Sequence, residues 1–343
     1  MPSTVKKLAQ RGLIRPPDFL PDNTHYEVIM GSVAYGVSSD TSDMDVYGFC
    51  IPPKNVVFPH LDGEIEGFGR QKKKFEQFQQ HHIDCPDELG GKGRQYDISI
   101  YNIVKYFSLC MENNPNMVDS LFVPTECVLH ITQVGNMVRE RRKLFLHKGS
   151  WHKFKGYAYS QLHKMDSKDP TGKRVEIREK YGFDVKFAYH VVRLLDEVEQ
   201  ILTFGDIDLR RSREHLKAIR RGEVPPQEIR QWFSDKEKQL EELYNRETCP
   251  VPYSPDENAI KKLLLECLEH HYGNLSNCIV LPGAAEQALA EIRATMERYY
   301  AWKEARSQEE MMAIATSPLE VENVPLGDPI PVEDAELKDI LRQ

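Results

Sequence analysis

The 343-residue chain has no apolar run approaching the ~20 residues that a bilayer-spanning helix needs, so no membrane partner is expected. Met1 to Lys7 hold no apolar stretch of the signal-peptide kind, and a cytoplasmic location is the expectation. The seven cysteines are odd in number and scattered without a Cys-x-x-Cys pair, which argues against a disulfide framework and a structural zinc site. His81-His82-Ile83-Asp84-Cys85 has ligand chemistry, but no second cluster stands at zinc spacing. His270 and His271 are adjacent on an expected helix, where their side chains diverge by about 100° and cannot readily share an ion. Repeats and low-complexity tracts are missing too. An excess of positive charge is also lacking, since the net charge of −8 speaks against nonspecific coating of nucleic acid. That charge is uneven: seven acids against Lys338 and Arg342 leave residues 319–343 at −5 and the rest at −3. Three basic clusters, Lys72 to Lys74, Arg139 through Lys155, and Arg210 to Arg221, are read as solvated helix faces or as a lining for a polyanion.

Against these absences stands one dense motif. The apolar run Val28-Ile29-Met30 leads into Gly31-Ser32-Val33-Ala34-Tyr35-Gly36, and Ser42-Asp43-Met44-Asp45 follows across a polar loop. On a strand, residues two apart share a face, so Asp43 and Asp45 present two carboxylates to one volume. Two like charges that close call for a cation, and Mg²⁺ binds one or two carboxylates while filling its shell with water and substrate phosphates. Gly31 lets the backbone approach a phosphate without a Cβ in the way, and Ser32 adds a hydroxyl donor.

Asp97 is the candidate third carboxylate, within a run of β-formers, Arg94 to Tyr101, that passes into a periodic apolar helix. The alternative is that Asp97 caps that helix, a task Ser99 or Asn102 performs equally well. Glu64, Glu66, Asp84 and Asp87 compete from loop-like surroundings. On a later expected helix, Lys186, His190 and Arg193 fall at i, i+4 and i+7 and share one face beside an apolar one. By spacing alone that stripe reads first as a solvated basic surface or a satisfied interfacial histidine, and only secondarily as cations aimed at a triphosphate.

The expected organisation is an α/β catalytic domain over 1–127, a helical domain over 128–306, and an acidic, poorly ordered tail over 307–343. Expected strands are Tyr26–Met30, Asp43–Ile51, Lys74–His82 and Gln95–Ile100. Expected helices include Trp151–Met165, Asp184–Phe204, Pro226–Tyr244, Ala259–His271 and Ala284–Arg306, and Asn113 to Asn116 reads as a helix stop.

The strand, Gly-Ser and Asp-x-Asp together resemble the DNA polymerase beta superfamily of nucleotidyltransferases. Further blocks sharpen this: Asn113-Asn114-Pro115-Asn116, Phe154-Lys155-Gly156-Tyr157 with Gln161 and Lys164, Gly182 to Leu195, and Ala218 to Glu223. They resemble the RNA repair pathway DNA polymerase beta family, the nucleotidyltransferases associated with RNA ligases, over roughly residues 25 to 225. The resemblance implies an α/β (α+β) fold, a polymerase-beta-like domain with a mixed sheet followed by an all-helical second domain. It implies catalytic and metal-binding roles for Asp43, Asp45 and Asp97, with two Mg²⁺ or Mn²⁺ ions. Nucleotide binding falls to Gly31, Ser32, Ser42, Lys186, His190 and Arg193, with Arg193 the foremost phosphate ligand. The implied partners are a nucleoside triphosphate as substrate, RNA as acceptor, and an RNA ligase. Left open are a protein or small-molecule acceptor and a non-catalytic nucleotide-binding role within an RNA repair complex.

Overall fold

The computed structural model describes residues 3–38, 42–57, 74–91, 93–167, 173–273, 289 and 291–298. In chain order these form α1 (Thr4–Gln10), α2 (Leu20–Asn23), β1 (Thr24–Ile29), α3 (Gly31–Ala34), β2 (Met44–Cys50), α4 (Lys54–Val57), β3 (Gln77–Cys85) and β4 (Arg94–Asn102). There follow α5 (Ile103–Met111), α6 (Pro115–Phe122), β5 (Val128–Ile131), α7 (Gln133–Glu140), α8 (Ser150–Ser167), α9 (Lys173–Tyr181), α10 (Val185–Phe204), α11 (Arg213–Arg220), α12 (Pro226–Asn245) and α13 (Glu257–Tyr272). Met1–Val280 and Leu281–Gln343 separate as two units, and in the second the described residues 291–298 are helical. The expected acidic tail lies outside the described residues.

The sheet is mixed, in the order β3-β4-β2-β1-β5, with β2 and β4 parallel and every other pair antiparallel. Its middle is built from β-branched and aromatic residues that are fully buried, among them Val28, Val46, Phe49, Ile98 and Ile100. Gly48 has a geometric reason: a Cβ there would drive into the Tyr26 carbonyl of the neighbouring strand. The sheet continues past residue 127, because β5 adds an antiparallel edge to β1. Helix α10 runs through the helical region, packed against α8, α12 and α11, with Val191, Val192, Leu195 and Val198 buried along it.

Two boundaries carry information. Asn102, the last residue of β4, caps α5 by accepting from the Val104 N–H at 2.9 Å, so Asp97 lies within the strand and is not a cap. Asn114 and Pro115, read from sequence as a stop, also start α6: Asn114 is its N-cap and Pro115 its first residue.

Candidate active site

Asp45 lies on β2 and Asp97 on β4, and the parallel register places them as direct partners, flanked by Met44↔Tyr96 and Val46↔Ile98. Partners in register project from the same face, so the two carboxylates lie side by side. Asp43 precedes β2 and lies close enough to act on Asp45 as well. Burial pushes the Asp45 carboxyl up from its ordinary 3.8 to about 6, and the charges of Asp97 and Asp43 raise it further in the same sense. Asp97 and Asp43 thus act on Asp45 in the same sense as burial, and the opposing charges of Lys186 and His81 offset them only in part.

On the other side of Asp45 stands the turn that begins at Gly31. Gly31 has φ +65°, and a Cβ on it would collide with the Asp45 carboxylate, so glycine is required for conformation and for space. Ser32 follows on α3 and is half-buried. Ser42 directly precedes Asp43 and is also half-buried, while residues 39–41 are outside the described set.

The turn is clamped from behind by two arginines: Arg210, read from sequence only as a member of a basic cluster, and Arg220, which also falls in the block Ala218 to Glu223. Arg210 donates from Nε to the Ala34 carbonyl at 3.2 Å and from Nη2 to the Val33 carbonyl at 3.4 Å, which also accepts from the Gly36 N–H at 3.1 Å, so the guanidinium grips the end of α3. Arg220 on α11 donates to the Val37 carbonyl at 2.6 Å. Its guanidinium stands over the Tyr189 ring, 5.4 Å from the centroid. The block Ala218 to Glu223 was the available signal for Arg220, without the reason for it.

Helix α10 brings the predicted cations only partly to this place. Asp184 caps it by accepting from the Lys186 and Phe187 N–H groups. Lys186, in the first turn, is exposed, and its charge opposes the upward shift at Asp45, so it belongs to the acid cluster's surroundings. One turn on, His190 is half-buried. Burial and then Arg193, Arg174, Lys186 and Arg220 hold its pKa well below 6.5, which keeps the ring neutral. Arg174, a cation that sequence reading missed, reaches this group from α9 and pairs with Asp184 at 2.8 Å.

Arg193, expected to be the foremost phosphate ligand, is placed elsewhere. Its guanidinium is buried, bonded to Asp119 and to both carboxylate oxygens of Glu197 at 3.0 Å, and stacked 4.4 Å from the Tyr35 ring centroid. Tyr35 in turn donates to Asp119 at 2.8 Å. The physical reason is that α10 dives inward. Its stripe is exposed at Lys186, half-buried at His190 and inside the core at Arg193. The correction is that Arg193 anchors Tyr35, the residue just after α3, by standing over its ring, with Nη1 bonded to two carboxylates and the buried Nε without a hydrogen-bond partner.

Among the competing acids, Asp84 accepts from Gln95 at 3.0 Å on the exposed side of β3, and Asp87 pairs with Arg11 at 2.9 Å. Glu64 and Glu66 lie outside the described residues.

The acid trio fits a divalent cation by donor chemistry, hard oxygens that are anionic and mutually repelling, and by the side-chain-free approach at Gly31. Among the described residues no three acidic, histidine or cysteine side chains are already gathered at coordination distance. An ion there would draw the trio closer and take further ligands from substrate and water.

A mixed α/β sheet with a glycine turn facing carboxylates on neighbouring strands defines a nucleotidyltransferase-like protein. Residues 18–251 match the RNA repair pathway DNA polymerase beta family, and the chain belongs to that family. No curated protein matches it. A solved structure of a nucleotidyltransferase-like protein from Exiguobacterium sibiricum shares 10% identity, covering 78% of this chain and 72% of that one, with a TM-score of 0.26. That likeness is too distant to carry an argument.

Proposed function

We propose that the protein is a metal-dependent nucleotidyltransferase that moves a nucleoside monophosphate from a nucleoside triphosphate to an acceptor hydroxyl, at an RNA end in RNA repair. The observation that carries this is the register pairing of Asp45 with Asp97 on parallel strands, beside a glycine that only a side-chain-free residue can occupy. Asp43 and Asp45 would hold both ions and Asp97 the one beside the acceptor. Bound there, Mg²⁺ or Mn²⁺ supplies Lewis-acid activation of the hydroxyl and neutralises phosphate charge. Gly31 and Ser32 give the triphosphate a close approach to the backbone, and Ser42 adds a hydroxyl across the turn. Lys186, with Arg174 and Arg220 behind it, sets a positive field where leaving-group charge develops. His190, kept neutral, is a ring donor or acceptor in that field and not a further cation. Arg210, Arg220 and Arg193 hold the turn so that it needs no rearrangement when substrate arrives. An RNA ligase remains the proposed functional partner.

A second reading keeps the chemistry and changes the acceptor to a protein or a small molecule, and one observation favours it. Many side chains of the middle basic cluster are already engaged within the chain, several of them in surface ion pairs. Arg139 bonds Tyr26 and Val123, and Arg141 pairs with Glu266. Lys143 pairs with Asp206, Lys148 bonds the Tyr244 and Arg246 carbonyls, and Lys155 pairs with Glu237.

The test is to incubate the full chain with Mg²⁺, each labelled triphosphate in turn, and a short single-stranded RNA with a free 3′-hydroxyl, with Asp43→Asn as control. Label on the RNA that the control lacks establishes a terminal nucleotidyltransferase. Pyrophosphate release without labelled RNA moves the acceptor to the second reading, and activity equal to wild type in Asp43→Asn would sink both.

A further inference from the structure

Strands β3 and β4 pair in register from Gln77↔Tyr101 to Gln80↔Ile98, and again from Ile83↔Tyr96 to Cys85↔Arg94. Between these stretches two residues of β3, His81 and His82, stand opposite one residue of β4, which is Asp97. This is a β-bulge, a device that re-aims side chains and recurs beside active sites. His82 sits at φ +56°, in the left-handed region that residues with a Cβ seldom occupy. Strain of that kind persists where the surroundings enforce it, and it prompts the question of what it does.

The answer is in the direction of one N–H group. In a regular strand the backbone N–H lies in the plane of the sheet and points at a neighbouring strand, not at a carboxylate rising from its face. The left-handed turn at His82 lifts its N–H out of that plane, and it donates to Asp97 Oδ1 at 2.7 Å. The other oxygen, Oδ2, lies 3.7 Å from His81 Nδ1, beyond hydrogen-bond distance. The His82 ring itself turns to Gln95 Oε1 at 3.4 Å, and Gln95 reaches Asp84 Oδ1 at 3.0 Å, so a short polar chain ties the bulge to the first residues of β4 and back to β3.

We propose that the His81–His82 bulge is the positioning element for Asp97: its backbone N–H holds one carboxylate oxygen so that the other is presented beside Asp45. The inference rests on the reading of Asp97 as an ion ligand. The backbone conformation does this, not the imidazole, so His82→Gly, which adopts positive φ freely and keeps the N–H, should preserve the device. His82→Val keeps the N–H but disfavours positive φ, and His82→Pro removes the donor as well.

The experiment is a calorimetric titration of the full chain with Mn²⁺ alone for wild type, His82→Gly, His82→Val, His82→Pro and Asp45→Asn, with thermal unfolding of each. The expected result is His82→Gly indistinguishable from wild type and His82→Val and His82→Pro weaker by roughly tenfold or more, the cost usual for losing an outer-shell partner of a metal ligand. Equal affinities in all four overturn the proposal, as does His82→Gly falling with the others, which would assign the effect to the ring. If His82→Pro does not fold, the Gly and Val pair alone decides by the same criteria. Wild-type protein showing no Mn²⁺ binding that Asp45→Asn abolishes would overturn the metal-dependent reading together with this one. Tight wild-type binding shared by the His82 variants sinks the bulge alone.

Discussion

Two charged clusters meet opposite ends of the segment from Gly31 to Tyr35, one at Asp45 against Gly31 and one at Arg193 against Tyr35, and they obey opposite rules. Around Arg193 the charges are of both signs, fully buried and bonded to each other; burial raises the Asp119 and Glu197 carboxyls, while Glu197, Tyr35 and Asp119 hold the guanidinium's pKa well above its ordinary value against that burial. Around Asp45 the dominant charges, those of Asp97 and Asp43, are of its own sign, partly open and mutually repelling, with Lys186 and His81 offsetting them only in part. The first arrangement is one a protein can keep without any ligand. The second is one it keeps at a cost in stability, and such a cost belongs at sites whose missing counter-charge arrives from outside.

The sharpest way to break that contrast is Arg193→Ala. If Arg193 is an internal anchor, two buried carboxylates lose their partner and the chain loses about 3–5 kcal/mol in chemical denaturation. An Arg193 that served a phosphate at the surface would leave stability unchanged and raise KM instead.

A third group of titratable side chains tests whether like groups are tolerated when they are uncharged. His25 on β1 meets His271 on α13 at 2.9 Å and Thr132 at 2.8 Å, with His130 of β5 and His270 of α13 nearby and Lys54 facing His271. Burial, followed by His271, His130 and His270, lowers the His25 pKa from 6.5 to about 4. A depressed histidine binds fewer protons folded than unfolded, so its contribution is complete above pH 6.5 and is lost as pH falls toward 4. The expected loss is at most ~3 kcal/mol, less what solvent screens at this half-buried ring. Thermal midpoints measured across that window should converge between wild type and His25→Gln, and a constant difference would refute the account.

Asp45 gives the opposite sign and the smallest effect. Its folded pKa is raised, so ionisation opposes folding as pH climbs from 3.8 to about 6 and the penalty is complete above that. Asp45→Asn should therefore stabilise the metal-free protein at pH 7 by about 1–2 kcal/mol after allowance for the open side of the trio. A lower denaturation midpoint in Asp45→Asn would mean that the carboxylate is compensated and not waiting for a cation.

Much of this was legible before folding. Gly31, Asp43 and Asp45 declare themselves because the chemistry demands those residue types at short spacing, and short spacing survives folding. Asp97 could be nominated but not separated from a helix cap until Asn102 was seen to do the capping. Arg193 was misjudged because helical spacing reports which residues share a face and not how deep that face runs. Arg210, Arg220 and the His82 bulge were invisible as positioning groups, since each acts through backbone atoms of segments remote in sequence.

The sequence by itself determined that a glycine turn and carboxylates stand close together and that the fold is of the mixed α/β class, because both rest on local periodicity and residue type. Only the tertiary structure settled which cations face the acids and which are consumed in the core. Charge pairing depends on through-space distance and on burial, and neither is a property of position along the chain.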